Sequence, residues 1–155
     1  MLNNRNVVGI ALIVSLLVLL SGCATNAMTR AERLQAYDQY IIDEKLESVD
    51  TIQAFRFSGW SELSDRHLII NTGINKPYLI TLKNNCPDLD FTQGISVNNT
   101  GSRLRAKFDY ISVPGKFSQR CFIEKIFKLT KEQRKEITGL HRQDDDTEES
   151  EESNT

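Results

Sequence analysis

The sequence predicts an α+β domain: a mainly antiparallel, curved or barrel-like β-sheet flanked by an N-terminal helix and a short C-terminal helix. Three observations predict it. Near each end of the central region a Thr-x-x-Glu or Thr-x-x-Gln capping box opens a helical segment. Between them lie short segments of two-residue alternation, which is strand periodicity. Those segments are separated by turns rich in Gly, Asn and Pro. A chain of 155 residues supports one ordinary domain.

The elements follow in order. Thr29-Arg30-Ala31-Glu32 is a capping box, and Leu34, Tyr37, Ile41 and Leu46 recur at near-helical spacing, so residues 29–47 are expected to form an amphipathic helix. From Thr51 the period shifts towards two. Ile52–Phe57 is a strand candidate, and Gly59-Trp60 marks a bulge or bend before a short second strand. Ser64-Asp65-Arg66 is a turn. His67–Asn71 and Tyr78–Leu82 are apolar strands joined by Thr72–Pro77, whose Gly, Asn and Pro suit a hairpin loop. Phe91–Val97 reads as another strand, and Asn98–Ser102 as the strongest hairpin turn. Arg103–Phe108 alternates cation with apolar residue, the pattern of a half-buried strand. Asp109–Val113 continues the sheet, and Cys121–Leu129 is the last strand. Thr130-Lys131-Glu132-Gln133 then opens a helix closed by Gly139.

The first twenty-three residues read as an address. Met1–Asn6 is polar and carries Arg5; Val7–Leu19 is an apolar stretch of about thirteen residues. A spanning helix needs about twenty apolar residues and a signal-peptide core about 7–15. Leu20-Ser21-Gly22-Cys23 resembles the bacterial lipobox, whose Cys becomes the lipidated first residue of the mature protein. An ordinary cleavable signal and an uncleaved short anchor are the competing readings. Lipidation of Cys23 would anchor the protein rather than make it span, with each buried CH₂ worth about 0.8 kcal/mol. Ala24, where Asp would mark inner-membrane retention, directs the expectation to the periplasmic face of the outer membrane over the inner one. The expected organisation is a signal peptide at 1–22, a lipidated Cys and linker at 23–28, one domain at 29–143 and a disordered acidic tail at 144–155.

Cys86 and Cys121 then form an even pair in an oxidising compartment. A bridge would close a loop of about 36 residues, worth about 3–4 kcal/mol in the chain-entropy account. The competing reading is a redox or nucleophilic Cys, but there is no C-x-x-C and no His beside either.

Little else carries chemistry. The net charge of −2 and pI near 5.7 give no support for nucleic-acid binding. Two His and three Cys assemble no metal site by spacing, and no cofactor motif is present. His67 is the one His inside the folded region; with no G-x-S-x-G around any Ser, it reads as structural or surface. Asp88 and Asp90 read as loop groups. The one polar feature with a shape is the row Arg103, Arg105 and Lys107, expected on one face of one strand about 6.5–7 Å apart. It is either an exposed sheet face or a site for lipid phosphates, cell-wall carboxylates or an acidic protein. The charges are also segregated: seven of the 21 acids lie between Asp144 and Glu152, so near-neutrality is a cancellation between a basic body and an acidic tail.

Ile52–Leu129 carries Trp60, Asp65-Arg66-His67-Leu68, Thr72–Leu82, Cys86-Pro87-Asp88-Leu89, Phe108-Asp109 and Cys121–Ile126. In these features the chain resembles an uncharacterised family of proteobacterial lipoproteins, a domain of unknown function. The resemblance implies a small lipidated or secreted domain with a Cys pair, and no activity. Two functions fit. One is a non-enzymatic envelope lipoprotein that contacts a protein or the cell wall. The other is a small hydrophobic ligand- or lipid-binding module with Trp60, Phe55, Phe57 and Tyr78 as pocket walls.

Overall fold

The computed structural model describes residues 28–86, 88–114 and 119–140. The expected signal peptide at 1–22, Cys23 and the expected disordered tail at 144–155 lie outside them. Helix α1 (Arg30–Asp43) opens on the predicted capping box: Thr29 accepts from the Glu32 amide, and the Glu32 carboxylate accepts from the Thr29 amide at 2.7 Å. It ends four residues before the predicted boundary. Lys45 adopts a left-handed φ of +49°, and the Lys45 and Leu46 amides fold back to the Ile42 and Ile41 carbonyls. This is a Schellman stop, so Leu46 packs as the apolar residue after the helix rather than within it.

Among the described residues nine strands follow: β1 (Ser48–Val49), β2 (Thr51–Gln53), β3 (Gly59–Ser64), β4 (His67–Asn71), β5 (Pro77–Leu82), β6 (Ser96–Asn98), β7 (Arg103–Arg105), β8 (Tyr110–Val113) and β9 (Gln119–Lys128). All pairings are antiparallel. The main sheet runs β3-β4-β5-β9-β8-β6, with β1 also on β9, and curls into a half-barrel. Strands β2 and β7 form a separate ribbon. Helix α2 (Lys131–Gly139) begins at the second predicted capping box, with Thr130 accepting from the Gln133 amide. The predicted fold class is therefore the observed one.

Three local expectations are corrected. Ile52–Phe57 is not one strand, because Ala54 turns left-handed (φ +50°) and sends Phe55 into the core, where its amide donates to the Ser102 carbonyl. Phe91–Val97 is not a strand at its start. Leu89–Phe91 forms a 3₁₀ turn that buries Leu89, and only Ser96–Asn98 pairs. Asn98–Ser102 does not close a hairpin: β6 pairs β8, whereas β7 crosses to β2 and buries Leu104 beside Ile52.

Strand alternation divides the core. Leu68, Ile70, Ile80, Leu82, Ile123 and Ile126 point into the curl, where Leu104, Ile111 and the Cys pair complete an apolar interior. Ile69, Leu79 and Phe127 point the other way, beneath Tyr37 of α1 and Ile137 of α2. A disulfide joins Cys86, just after β5, to Cys121 on β9, with Cα atoms 6.0 Å apart. The loop therefore lies against the sheet's inner layer, which brings Asp90 to the edge of β3.

Candidate functional site

Where α1 meets that edge, a charged seam forms. Arg30 and Arg33 lie three residues apart on α1 and so share a face. Arg30 reaches Asp90 at 3.6 Å and Asp65 at 3.9 Å; Arg33 reaches Asp90 and Glu62, each at 3.7 Å. Glu62 comes from β3, Asp65 from the turn after it, and Asp90 from the 3₁₀ turn. Three carboxyls thus face two guanidiniums. One buried oxygen on each of Glu62, Asp65 and Asp90 lacks a hydrogen-bond donor among the described residues. A proton on one carboxyl supplies such a donor. Burial, then the adjacent Asp90 carboxyl, pushes Glu62 up to about 7, and the same two causes raise Asp65.

Beside the seam lies His67, fully buried and tilted against the Tyr37 ring at 5.6 Å. A bulge between Glu62 and Ser64 sets Ser64 opposite it in the β3–β4 pairing. His67 Nδ1 is 2.8 Å from Ser64 Oγ, and Nε2 is 3.2 Å from Asp38 Oδ1. Burial pushes the His67 pKa down against the opposing pull of Asp38, which leaves the ring neutral near pH 7. A carboxylate only accepts, so Nε2 carries the hydrogen and Nδ1 accepts from the Ser64 hydroxyl. The order of exposure is the reverse of a hydrolytic triad. The Ser64 hydroxyl is buried against the ring, whereas the Asp38 side chain is 54% exposed. The histidine therefore aims a carboxylate outward.

Asp38 forms part of the wall of a groove of about 570 Å³ between the C-terminal half of α1 and the outer faces of β5 and β9. Arg66, Lys83 and Lys125 line it as cations, Glu124 is a second acid, and Ile41, Ile42 and Phe127 supply apolar wall. A groove with both signs of charge and an apolar side suits a ligand carrying carboxylates, an amine and some carbon skeleton.

The row Arg103, Arg105 and Lys107 is not one strand face. β7 ends at Arg105, and Lys107 turns left-handed (φ +67°) because the buried Asp109 carboxylate holds the Arg105 amide at 2.7 Å in a tight turn. The Arg105 guanidinium donates to Thr100, pairs with Asp109 at 3.6 Å and sits 5.2 Å over the exposed Phe108 ring. Arg103 and Lys107 are exposed. Of the aromatics named as pocket walls, Phe55 is in the inner core, Trp60 and Tyr78 pack against it, and Phe57 is exposed. Cys23 lies outside the described residues.

Sequence reasoning missed Asp38, Arg30, Arg33 and Glu62, and left Asp90 on a loop surface although its side chain is only 9% exposed. The spacing of Arg30 and Arg33 was the one available signal. Their acceptors come from two distant stretches of chain that only the fold joins. Among the described residues no group of three or more His, Cys, Asp or Glu is arranged to hold a metal ion, and no helix is long and apolar enough to cross a membrane.

A curled antiparallel half-barrel with two helices on its outer face, a Cys86–Cys121 staple and a charged helix seam defines a small α+β domain class. The chain belongs to a family of unknown function, DUF6491, whose profile matches residues 6–145. No curated protein and no solved structure shows significant similarity to it.

Proposed function

We propose that this protein is a proteobacterial envelope lipoprotein, anchored through Cys23 at the periplasmic face of the outer membrane. It acts without catalysis, by contacting another envelope protein or the cell wall. The address rests on the Leu20–Cys23 box behind its short apolar core. The observation that carries the binding role is a contrast. The half-barrel interior is filled by its own side chains, whereas the groove beside α1 is open and charged. Cell-wall peptides and protein segments carry the mixture of carboxylate, amine and aliphatic groups that this lining matches.

Site-specific photocrosslinking in living cells tests it. A photoreactive residue at Ile42 should yield adducts with a defined envelope protein or with cell-wall fragments. Lys83→Glu with Lys125→Glu should lower their yield. Equal adduct yields with and without the charge reversal would overturn the groove as the contact.

A further inference from the structure

The domain has one end that its anchor must keep near the bilayer, and that end carries an exposed ring. Five residues separate Cys23 from the N-cap Thr29, a tether of about 20 Å at full extension. Thr29 starts α1, and one residue later the Arg30 guanidinium lies 5.6 Å over the Phe91 ring. Phe91 is 76% exposed although its neighbour Leu89 is buried, so the 3₁₀ turn spends one side chain on the core and presents the other to solvent. Met28 adds a partly exposed apolar side chain just before the helix. A phenyl ring and a thioether flanked by a half-exposed guanidinium match the boundary between acyl chains and headgroups.

We propose that this end, formed by Met28, Arg30 and Phe91, rests on the phospholipid surface that holds the Cys23 anchor. The inference depends on the lipidation of Cys23. The acids nearby do not oppose it strongly. Asp65 and Asp90 face Arg30 and Arg33, and Glu32 is turned onto the Thr29 amide. Asp88 makes no capping hydrogen bond and is the acid left over, so the surface suits zwitterionic rather than strongly anionic lipid. Exposure alone does not select Phe91, because Ile74 is 90% exposed. But Ile74 lies in the β4–β5 loop, at the other end of β4 from the Asp65 turn, and five strand residues span about 17 Å. Contact at Phe91 fixes which way the domain stands. The C-terminal half of α1, which walls the groove with Asp38, Ile41 and Ile42, then stands off from that end along a helix about 21 Å long.

Full-length lipoprotein reconstituted in zwitterionic vesicles provides the test. Trp60 is the sole Trp, so Phe91→Trp and Ile74→Trp are compared in a Trp60→Phe background. With brominated acyl chains, Phe91→Trp should lose about half its fluorescence while Ile74→Trp stays unchanged, since only an interfacial ring reaches the bromines. In the unaltered chain, a photoactivatable phospholipid should label residues 88–92 in preference to 72–76, so the outcome does not depend on the background variant folding. Even quenching of both reporters, or none at Phe91→Trp in protein that floats with the vesicles, would overturn the contact. Flotation itself reports the anchor: if Cys23→Ser floats as well as wild type, the lipidation reading fails, whatever the quenching.

Discussion

The two faces of the curled sheet are built from the same strands and do opposite work. On β4, Leu68 and Ile70 point into the curl while His67 and Ile69 point to the helices; on β5, Ile80 and Leu82 alternate with Leu79 and Thr81. The inner face carries the larger apolar cluster, which includes the disulfide. The outer face gives part of its area to Ser64, His67 and Thr81, with the Asp65 seam at its edge. Burying an unpaired polar group costs about 1–3 kcal/mol, so the outer face is the less stable arrangement unless each group finds a partner. The difference teaches where stability and recognition are divided. One layer holds the fold, and that lets the other spend its positions on charge.

Breaking the inner layer should have the largest effect. Replacing Cys86 and Cys121 together by Ser should cost about 3–4 kcal/mol of unfolding free energy in urea, because the constraint on the intervening loop is lost. A cost below about 1 kcal/mol would mean that the staple is dispensable to the layer. On the outer layer, His67→Ala should cost less, about 1–3 kcal/mol, since it strands the Ser64 hydroxyl and opens space against Tyr37. A double-mutant cycle with Asp38→Ala should show coupling of about 0.5–1 kcal/mol, and additivity would place Asp38 outside the histidine's reach.

The fold class was legible because it rests on periodicity and caps, which are local. Thr29, Thr130, His67–Asn71 and the Cys pair could all be read from the chain. What failed depended on distant partners. Arg103–Phe108 has a strand's alternation, yet the Asp109 carboxylate closes a turn at Lys107 that no propensity announces. Asn98–Ser102 has the residues of a hairpin, but β7 pairs with β2, which sets Leu104 opposite Ile52 instead of back on β6. The seam was illegible for the same reason: Glu62 and Asp90 are ordinary acids until the disulfide loop brings them together before α1.

The seam and the histidine respond to pH with opposite signs. Glu62 in the folded state sits near 7, above its ordinary 4.5, and Asp65 is raised too. Between those values the native state keeps a proton that the unfolded chain releases, so this contribution to stability falls as pH rises from 4.5 to about 7. His67 is lowered below its ordinary 6.5, so the unfolded chain takes a proton first as pH drops, and this contribution falls on acidification below 6.5. Glu62→Gln removes the first response and keeps the second. Its stability relative to wild type should therefore improve from pH 5 to pH 8 in paired urea titrations. An unchanged difference would show that Glu62 ionises in the fold as it does in the unfolded chain.

The smallest effect on stability belongs to the groove, and it separates structure from recognition most sharply. Ile42 is 66% exposed at the last turn of α1, and the Schellman stop after it is made by backbone groups. Ile42→Ser should leave unfolding free energy within about 0.5 kcal/mol of wild type, as an exposed substitution whose side chain takes no part in the cap. Its carbonyl still accepts from the Lys45 amide, so the helix end survives the change. If the outer layer is built for contact, the same substitution should still lower crosslinking of groove partners, because it removes apolar wall beside Asp38. A loss of stability approaching that of His67→Ala would instead make Ile42 part of the fold's support. The division between a holding layer and a contacting layer would then be wrong at this position.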